Sequence, residues 1–277
     1  MPATVAVRFA RRLARAEETV RRLSESGQSI LGAALGQALT TAERSALGLA
    51  LYADALERAP LGADPEARPF DWETAWWAEA LPPAPASVLI GGAGTGREVR
   101  ALQAAGYEVH ACDPVPAAAA ALAVLLGPGR AACARHEDTS RWPGPARLDA
   151  VIFGWGSLTH VLDADDRRRI LQAAAARTHG PILASVWIRD AFPVVPGRAV
   201  TFGHRLGRGV ARARGLALAH LQASPDLEGF APWCGFGHRF DLDELEALGR
   251  IIGRPTRFEP APYPHVTWSA GPRTPPA

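Results

Sequence analysis

The chain has 277 residues, of which 48% are hydrophobic and 21% charged, and its formal net charge is +2. This composition supports a full hydrophobic core, and so small a net charge excludes a global electrostatic field that would attract nucleic acid. The three cysteines have no paired spacing, and no apolar run reaches the ~18 residues of a membrane span. We therefore expect a cytoplasmic protein with no disulfide framework and no membrane partner.

Residues 1 to about 60 have the apolar spacing of helices. The first predicted helix is amphipathic with a charged outer face, and its apolar residues are Val7, Leu13, Val20 and Leu23. A short apolar helix is predicted from Ser29 to Leu35, and the next begins at Thr40 or Thr41 and runs to about Glu57. Glu43 supports a capping box with Thr40, in which two backbone N–H groups are satisfied reciprocally.

The stretch from Ser87 to Pro114 predicts a strand, a glycine turn, a helix and a second strand. Its first residues, up to Ile90, are apolar without alternation, as in a strand covered on both faces. The glycines that follow let the backbone turn sharply and let a ligand approach closely. A helix is predicted from Arg97 to Ala105, and Asp113 stands at the carboxyl end of the second strand, which borders the ligand crevice of an open α/β sheet.

The spacing of these glycines indicates which nucleotide is bound. The segment Val88–Gly96 resembles motif I of class I S-adenosylmethionine-dependent methyltransferases, whose usual form is V-L-(D/E)-x-G-x-G-x-G. Arg97 stands where a dinucleotide-binding G-x-G-x-x-G sequence has its last glycine. Ile90 departs from motif I, because the family usually has an acid there that holds the methionine amino group. The resemblance implies S-adenosyl-L-methionine as cofactor, S-adenosyl-L-homocysteine as product, and cofactor contacts from Gly92, Ala93, Gly94, Gly96 and Asp113.

The same resemblance implies a doubly wound α/β fold with a mainly parallel seven-stranded sheet. The implied units are a helical N-terminal cap (1–82), a Rossmann-like cofactor-binding core (83–190), an inserted substrate lid (191–238), and a segment that completes the sheet and forms the tail (239–277). A tryptophan-rich cluster ends the cap, and most of its residues are expected to join the cap to the sheet, with one touching a ligand. The cluster comprises Phe70, Trp72, Trp76 and Trp77.

Two acids follow the third predicted strand, which spans Arg130 to Arg135 after a helix from Pro116 to Leu126. In the resembled family an acid at this place often hydrogen-bonds the adenine amino group. Glu137 and Asp138 are therefore candidate cofactor residues, although adjacent acids in a loop are also commonly just solvated.

A second strong stretch begins with the apolar strand Ala150–Phe153 and resembles motif IV, whose loop contacts the cofactor's methyl end and the substrate. Gly154 and Trp155 are candidate cofactor residues, and the Trp155 ring is expected to pack on the sulfonium by cation–π attraction. Trp155 and Ser157 are also candidate substrate residues. His160 is either a general base or a histidine that makes a structural hydrogen bond at the start of a helix.

A fifth strand is predicted from Pro181 to Val186, and the alternation of strands and helices up to this point indicates an α/β sheet. Trp187 and Arg189 follow it as candidate substrate residues. From Phe192 to Gly237 the regular pattern breaks, with a helix expected around Val210 to Leu221. The arginines of this region are interleaved with a single aromatic residue, which disfavours nucleic-acid binding. A substrate lid that includes His204 fits better.

The segment from Ala231 to Phe240 is predicted to form a wall of the substrate pocket, with Trp233 as a contact and His238 as a second base candidate. It lacks the close Cys and His spacing of a zinc site, so no metal is expected. A final helix, capped by Asp241 and ending at Ile252, precedes two strands, Arg257–Pro260 and His265–Ser269.

These features predict a methyltransferase that acts on oxygen or nitrogen of a small organic metabolite, as a monomer or homodimer. The absence of an Asn-Pro-Pro-Tyr/Phe sequence argues against methylation of exocyclic amines of nucleic acids or of glutamine. A peptide or protein methyltransferase, a non-catalytic nucleotide-binding protein and, least favoured, an NAD-dependent oxidoreductase are the alternatives.

Overall fold

This computed structural model describes residues 24–58, 68–189, 197–216 and 228–270. The amphipathic helix predicted around Val7 to Leu23 lies outside these ranges, as does the C-terminal tail. The helices are α1 (24–38), α2 (Thr41–Arg58), α3 (Asp71–Ala80), α4 (Arg97–Ala104), α5 (Pro116–Leu126), α6 (Ala164–Arg177), α7 (Arg198–Ala213) and α8 (Leu242–Ile251). The strands are β1 (Ser87–Gly91), β2 (Glu108–Asp113), β3 (Ala131–Cys133), β4 (Ala150–Phe153), β5 (Ile182–Ser185), β6 (Trp187–Ile188), β7 (Glu228–Ala231), β8 (Gly235–Phe240), β9 (Thr256–Glu259) and β10 (His265–Trp268).

The main sheet has seven strands in the order β3-β2-β1-β4-β5-β10-β9. The first five strands pair in parallel, and β10 is antiparallel to both of its neighbours. The strand order reverses between β1 and β4, which creates a crevice at their carboxyl ends. The predicted doubly wound, mainly parallel seven-stranded sheet is confirmed.

Both faces of this sheet are covered, as the continuous apolar runs predict. Along β1 the side chains alternate between two core layers: Val88 and Ile90 pack with α3, α4 and α5, and Leu89 packs with α6 and α8. The predicted connection between cap and sheet is present, because Trp76 and Trp77 lie in the first of these layers. The Trp76 indole also donates a hydrogen bond of 2.8 Å to the Thr267 hydroxyl on β10.

The predicted capping box at the start of α2 is present. The Glu43 carboxylate accepts a hydrogen bond of 2.8 Å from the Thr40 N–H, and the Thr40 hydroxyl accepts one of 3.3 Å from the Glu43 N–H. This reciprocal pairing satisfies donors at a helix start that would otherwise lack a partner.

A second sheet, in the order β6-β8-β7, occupies part of the region where an irregular segment was predicted. Helix α2 packs on β8 so closely that a Cβ on Gly48 would lie 3.1 Å from the Cys234 carbonyl oxygen. Gly235 of β8 lies in the same contact, because a Cβ there would be 2.5 Å from the Gly48 Cα, so this glycine serves a regular, tightly packed element. No helix in the described ranges is both long and apolar enough to cross a membrane.

The expected helix boundary in the insertion is wrong. Helix α7 begins at Arg198, about 12 residues before the expected start at Val210, and ends at Ala213. Residues 217–221 of the expected helix lie outside the described ranges. The glycines that interrupted the sequence pattern are the contact surface of this helix. A Cβ on Gly203 would lie 2.5 Å from the Ile30 carbonyl oxygen of α1, and one on Gly207 would overlap the Ala34 carbonyl.

Candidate active site

A cavity of about 300 Å³ lies at the carboxyl ends of β1, β2 and β4, beneath α2. Its location at the reversal of strand order is where open α/β sheets bind ligands. The residues that line it are Ser45, Gly48, Leu49, Tyr52, Gly92, Ala93, Gly94, Thr95, Arg97, Glu98, Asp113, Pro114, Arg135, His136, Glu137, Trp155, Ser157, His160, Val161, Trp233, Cys234 and Phe236.

The glycine loop after β1 forms the floor of this cavity. Its backbone is fixed from one side by β2, because the N–H groups of Gly92 and Ala93 donate to the Cys112 carbonyl at 2.9 and 3.1 Å. Gly92 and Gly94 have φ angles of +68° and +54°, a conformation that side chains disfavour. A Cβ on Gly92 would also overlap the Ser157 side chain. The loop therefore requires glycine both for its conformation and for space.

Asp113, a residue only 1% exposed, ends β2 and faces this loop. It accepts hydrogen bonds of 2.9 Å from the N–H groups of Gly94 and Val115. Burial raises the pKa of Asp113 to about 6, and the two backbone donors oppose that rise. The structure thus places the predicted acid against the glycine loop, with its carboxylate at the cavity wall.

The two acids after β3 are in different places. Glu137 lines the cavity, whereas Asp138 is not among the lining residues. The Asp138 carboxylate instead accepts a hydrogen bond of 3.4 Å from the Arg135 N–H within its own loop. Of the pair, Glu137 is the one positioned to contact a ligand.

His136 lines the cavity as well and was missed by the sequence analysis. Its ring lies against the glycine loop, such that a Cβ on Gly91 would be 2.9 Å from its Cε1 and Nδ1 atoms. Burial lowers the pKa of His136 to about 4, and a hydrogen bond to the backbone of Ser157 partly opposes this lowering. The one available signal was its position directly after a parallel strand, where side chains reach the crevice.

His160 ends a short 3₁₀ helix, Ser157–His160, that follows the β4 loop. Its Nδ1 lies 3.0 Å from the Phe236 carbonyl oxygen. Because a carbonyl can only accept, Nδ1 carries the hydrogen and Nε2 keeps a lone pair. Burial lowers the pKa of His160, which favours the neutral ring. His160 therefore makes the structural hydrogen bond that one interpretation predicted, and also lines the cavity as the other requires.

His238, the second base candidate, is placed elsewhere. Its side chain is buried on β8, and its Nε2 lies 2.6 Å from the Glu244 carboxylate. The same carboxylate accepts a hydrogen bond of 2.9 Å from Arg167. His238 is not among the cavity-lining residues, so the structure separates it from His160.

The predicted substrate residues divide into two groups. Trp155, Ser157 and Trp233 line the cavity, and Trp187, Arg189 and His204 are outside its lining. Trp187 packs edge-on against the His160 ring, with the two ring centroids 5.7 Å apart. Arg189 forms an ion pair of 3.0 Å with Asp241.

The Trp155 ring, 48% exposed, contacts a cation supplied by the protein itself. The Arg97 guanidinium lies 5.6 Å from the Trp155 ring centroid and 5.2 Å from that of Phe70. This arrangement forms a cation–π bridge between the end of the cap and the β4 loop. Contact of Trp155 with a sulfonium stays a prediction.

No protein-family model and no curated protein matches this chain. Among solved structures, Burkholderia thailandensis 1,6-didemethyltoxoflavin-N1-methyltransferase is 21% identical with a TM-score of 0.51, over 83% of this chain and 87% of that one. The sugar N-methyltransferase KedS8 from Streptoalloteichus is 17% identical with a TM-score of 0.52, over 79% and 92%. A Rhodobacter sphaeroides protein provisionally assigned to the zinc-dependent alcohol dehydrogenases is 20% identical with a TM-score of 0.50, over 79% and 98%. Together with the strand order, these similarities show that the chain has the Rossmann-like fold of class I methyltransferases.

Proposed function

We propose that this protein is an S-adenosylmethionine-dependent methyltransferase that acts on oxygen or nitrogen of a small organic metabolite. The observation that carries this proposal is the glycine loop facing the Asp113 carboxylate, within one cavity at the reversal of strand order. The B. thailandensis neighbour, which shares the fold, contains bound S-adenosylhomocysteine and 1,6-didemethyltoxoflavin, and this supports the same class of cofactor.

The residues along the sheet edge fit the parts of this cofactor in order. Glu137 follows β3, Asp113 ends β2, the glycine loop follows β1, and Trp155 follows β4. On the family resemblance these positions correspond to the adenine amino group, the ribose hydroxyls, the methionine portion and the methyl end. When bound, S-adenosylmethionine supplies a methyl group already activated on a sulfonium.

The protein's own contribution is to orient the acceptor and exclude water. Trp155 of the β4 loop and Trp233 and Phe236 of the β7–β8 segment contribute aromatic residues to the lining of the cavity. Such positioning of a nucleophile contributes up to ~7–11 kcal/mol of barrier lowering. No covalent residue is required for this role.

We assign the proton acceptor to His160. Its Nδ1 hydrogen is directed to the Phe236 carbonyl, which leaves Nε2 to take the proton that the hydroxyl or amine of the acceptor loses. The lowered pKa keeps the ring neutral and able to accept at pH 7. A general base of this kind contributes ~10²–10⁴-fold in rate.

The test is transfer of a labelled methyl group from S-adenosylmethionine to a panel of small hydroxyl- and amine-bearing metabolites. Once an acceptor is found, His160→Ala is expected to lower kcat by ~100-fold or more with a smaller change in KM. His179→Ala is the matched control, because His179 is exposed on the turn before β5. An unchanged kcat in His160→Ala would show that transfer runs by orientation alone, and binding without turnover on any acceptor would favour the non-catalytic alternative.

A further inference from the structure

Position 90 provides no polar group to the cavity. Ile90 is fully buried in β1 and belongs to the core layer that includes Val99 of α4. The usual motif I acid is thus replaced by a side chain that packs in the core. A cationic ammonium group placed in the cavity would still need a partner, since an unpaired charge removed from water is costly.

Glu98 is the carboxylate nearest in sequence to the glycine loop. It is the second residue of α4, lines the cavity, and has a side chain that is only 8% exposed. Its Oε1 accepts a hydrogen bond of 2.9 Å from Arg97. Within the described ranges, Arg97 is the hydrogen-bond partner of this carboxylate, so its other oxygen keeps the capacity to accept.

The charges around Glu98 do not balance. Arg97 makes two hydrogen bonds, of 2.7 and 2.8 Å, to the buried Glu73 carboxylate and a third to Glu98. Two carboxylates therefore share one guanidinium, and the group of three carries a formal charge of −1. Burial raises the pKa of Glu73, and the negative charge of Glu98 contributes to that rise. A cation in the cavity would neutralise this excess.

The other two cavity carboxylates follow β2 and β3, which lie on the side of β1 away from β4. Asp113 ends β2 and accepts from two backbone N–H groups, and Glu137 follows β3, the outermost strand. Glu98 follows β1, and its partner Arg97 contacts Trp155 of the β4 loop. Among the carboxylates that line the cavity, Glu98 is therefore the one on the β1–β4 side, beyond the ribose position.

We propose that Glu98 binds the α-ammonium group of the methionine portion of the cofactor, in place of the acid that is absent at Ile90. This assignment rests on the proposed function. Tyr52 of the cap lies over the glycine loop, near both Asp113 and Glu98, because its hydroxyl would be 3.0 Å from a Cβ on Gly94 and the charges of both acids act on the phenol. Burial raises the pKa of Tyr52, so the phenol stays a neutral donor suited to the carboxylate of the same zwitterion.

The experiment compares two ligands that share a nucleoside. S-adenosylhomocysteine carries the amino-acid end, and 5′-methylthioadenosine lacks it. For Glu98→Gln, calorimetry is expected to show ~10–100-fold weaker binding of S-adenosylhomocysteine and unchanged binding of 5′-methylthioadenosine. The amide oxygen of Gln can still accept from Arg97, so the variant is expected to unfold at nearly the wild-type temperature. Glu108→Gln, at an exposed position of β2, is the control and is expected to bind both ligands as the wild type does.

Three outcomes would contradict the assignment. Unchanged S-adenosylhomocysteine affinity in Glu98→Gln would show that Glu98 does not hold the ammonium group. Equal losses for both ligands would show that Glu98 only shapes the loop. If the wild-type protein binds neither ligand, the proposed function itself fails and the assignment fails with it, a result distinct from the first two.

Discussion

The cavity has two sides of different construction. Apart from Tyr52 and Trp155, the side assigned to the cofactor comes from one continuous stretch, from β1 through the loop after β3, and its central contacts are backbone N–H groups that donate to Asp113. The side assigned to the substrate combines α2, the β4 loop and the turn between β7 and β8. The first side is specified by short-range sequence, and the second forms only when distant segments fold together.

The largest expected loss of affinity comes from a substitution in the glycine loop, on the side of the cavity assigned to the cofactor. Gly94→Val is expected to weaken binding of S-adenosylhomocysteine by more than ~100-fold, because the residue has a φ of +54° and a side chain there would project beside Tyr52 in the cavity. Calorimetry measures this loss directly.

Gly129→Val is a control that separates the effect of backbone strain from the effect of a side chain placed in the ligand site. Gly129 also has a positive φ, of +75°, but a Cβ there meets nothing within 4 Å. This control is expected to lose some stability and to keep wild-type affinity. Equal affinities in the two variants would mean that the loop does not contact the ligand.

The next effect is a pH dependence of cofactor affinity. Asp113 has a pKa of about 6 in the free protein, and only its ionised form accepts two hydroxyl donors. Affinity is therefore expected to be constant above pH 7 and to fall by ~10-fold at pH 5, because binding must then displace a proton. Calorimetry between pH 5 and 8 tests this expectation.

Asp113→Asn is the variant to compare with the wild-type pH profile. It is expected to bind ~10–100-fold more weakly at pH 8, since hydrogen bonds to a charged group are lost. The variant is also expected to lose most of the dependence near pH 6. A wild-type profile that is flat down to pH 5 would contradict a direct role for the Asp113 carboxylate.

The smallest effect distinguishes the two acids after β3. Glu137→Gln is expected to reduce affinity by ~3–10-fold, because Glu137 lines the cavity and a single hydrogen bond contributes about 1 kcal/mol. Asp138→Asn is expected to change affinity by less than ~2-fold, since Asp138 bonds within its own loop. A larger loss of affinity in Asp138→Asn than in Glu137→Gln would show that Asp138, and not Glu137, contacts the ligand.

The sequence was most informative where function depends on local backbone geometry. Glycine spacing and continuous apolar strands predicted the β1 loop, the position of Asp113 and the order of elements up to β5. The His238 assignment illustrates the contrast, because a histidine in a glycine-rich segment was taken as a pocket residue. Its pairing with Glu244 depends on how α8 packs on β8, which no local pattern encodes.

The same limit applies to helix α7 and to the cap. Gly203 and Gly207 lower local helix propensity, so the sequence pattern moved the start of the helix toward Val210. Their close approach to α1 compensates for that cost, and the contact joins residues that are distant in the chain. Ser45, Leu49 and Tyr52 line the cavity for the same reason, since they reach it only when α2 packs on β8 and on the start of α5.

The most direct measurement is calorimetric binding of S-adenosylmethionine and S-adenosylhomocysteine to the purified protein, with NADH as the comparison ligand. The geometry of the glycine loop, Asp113 and Glu98 predicts binding of both adenosyl compounds at micromolar concentration and no binding of NADH. Binding of NADH without either adenosyl compound would contradict the account and would instead support the oxidoreductase alternative.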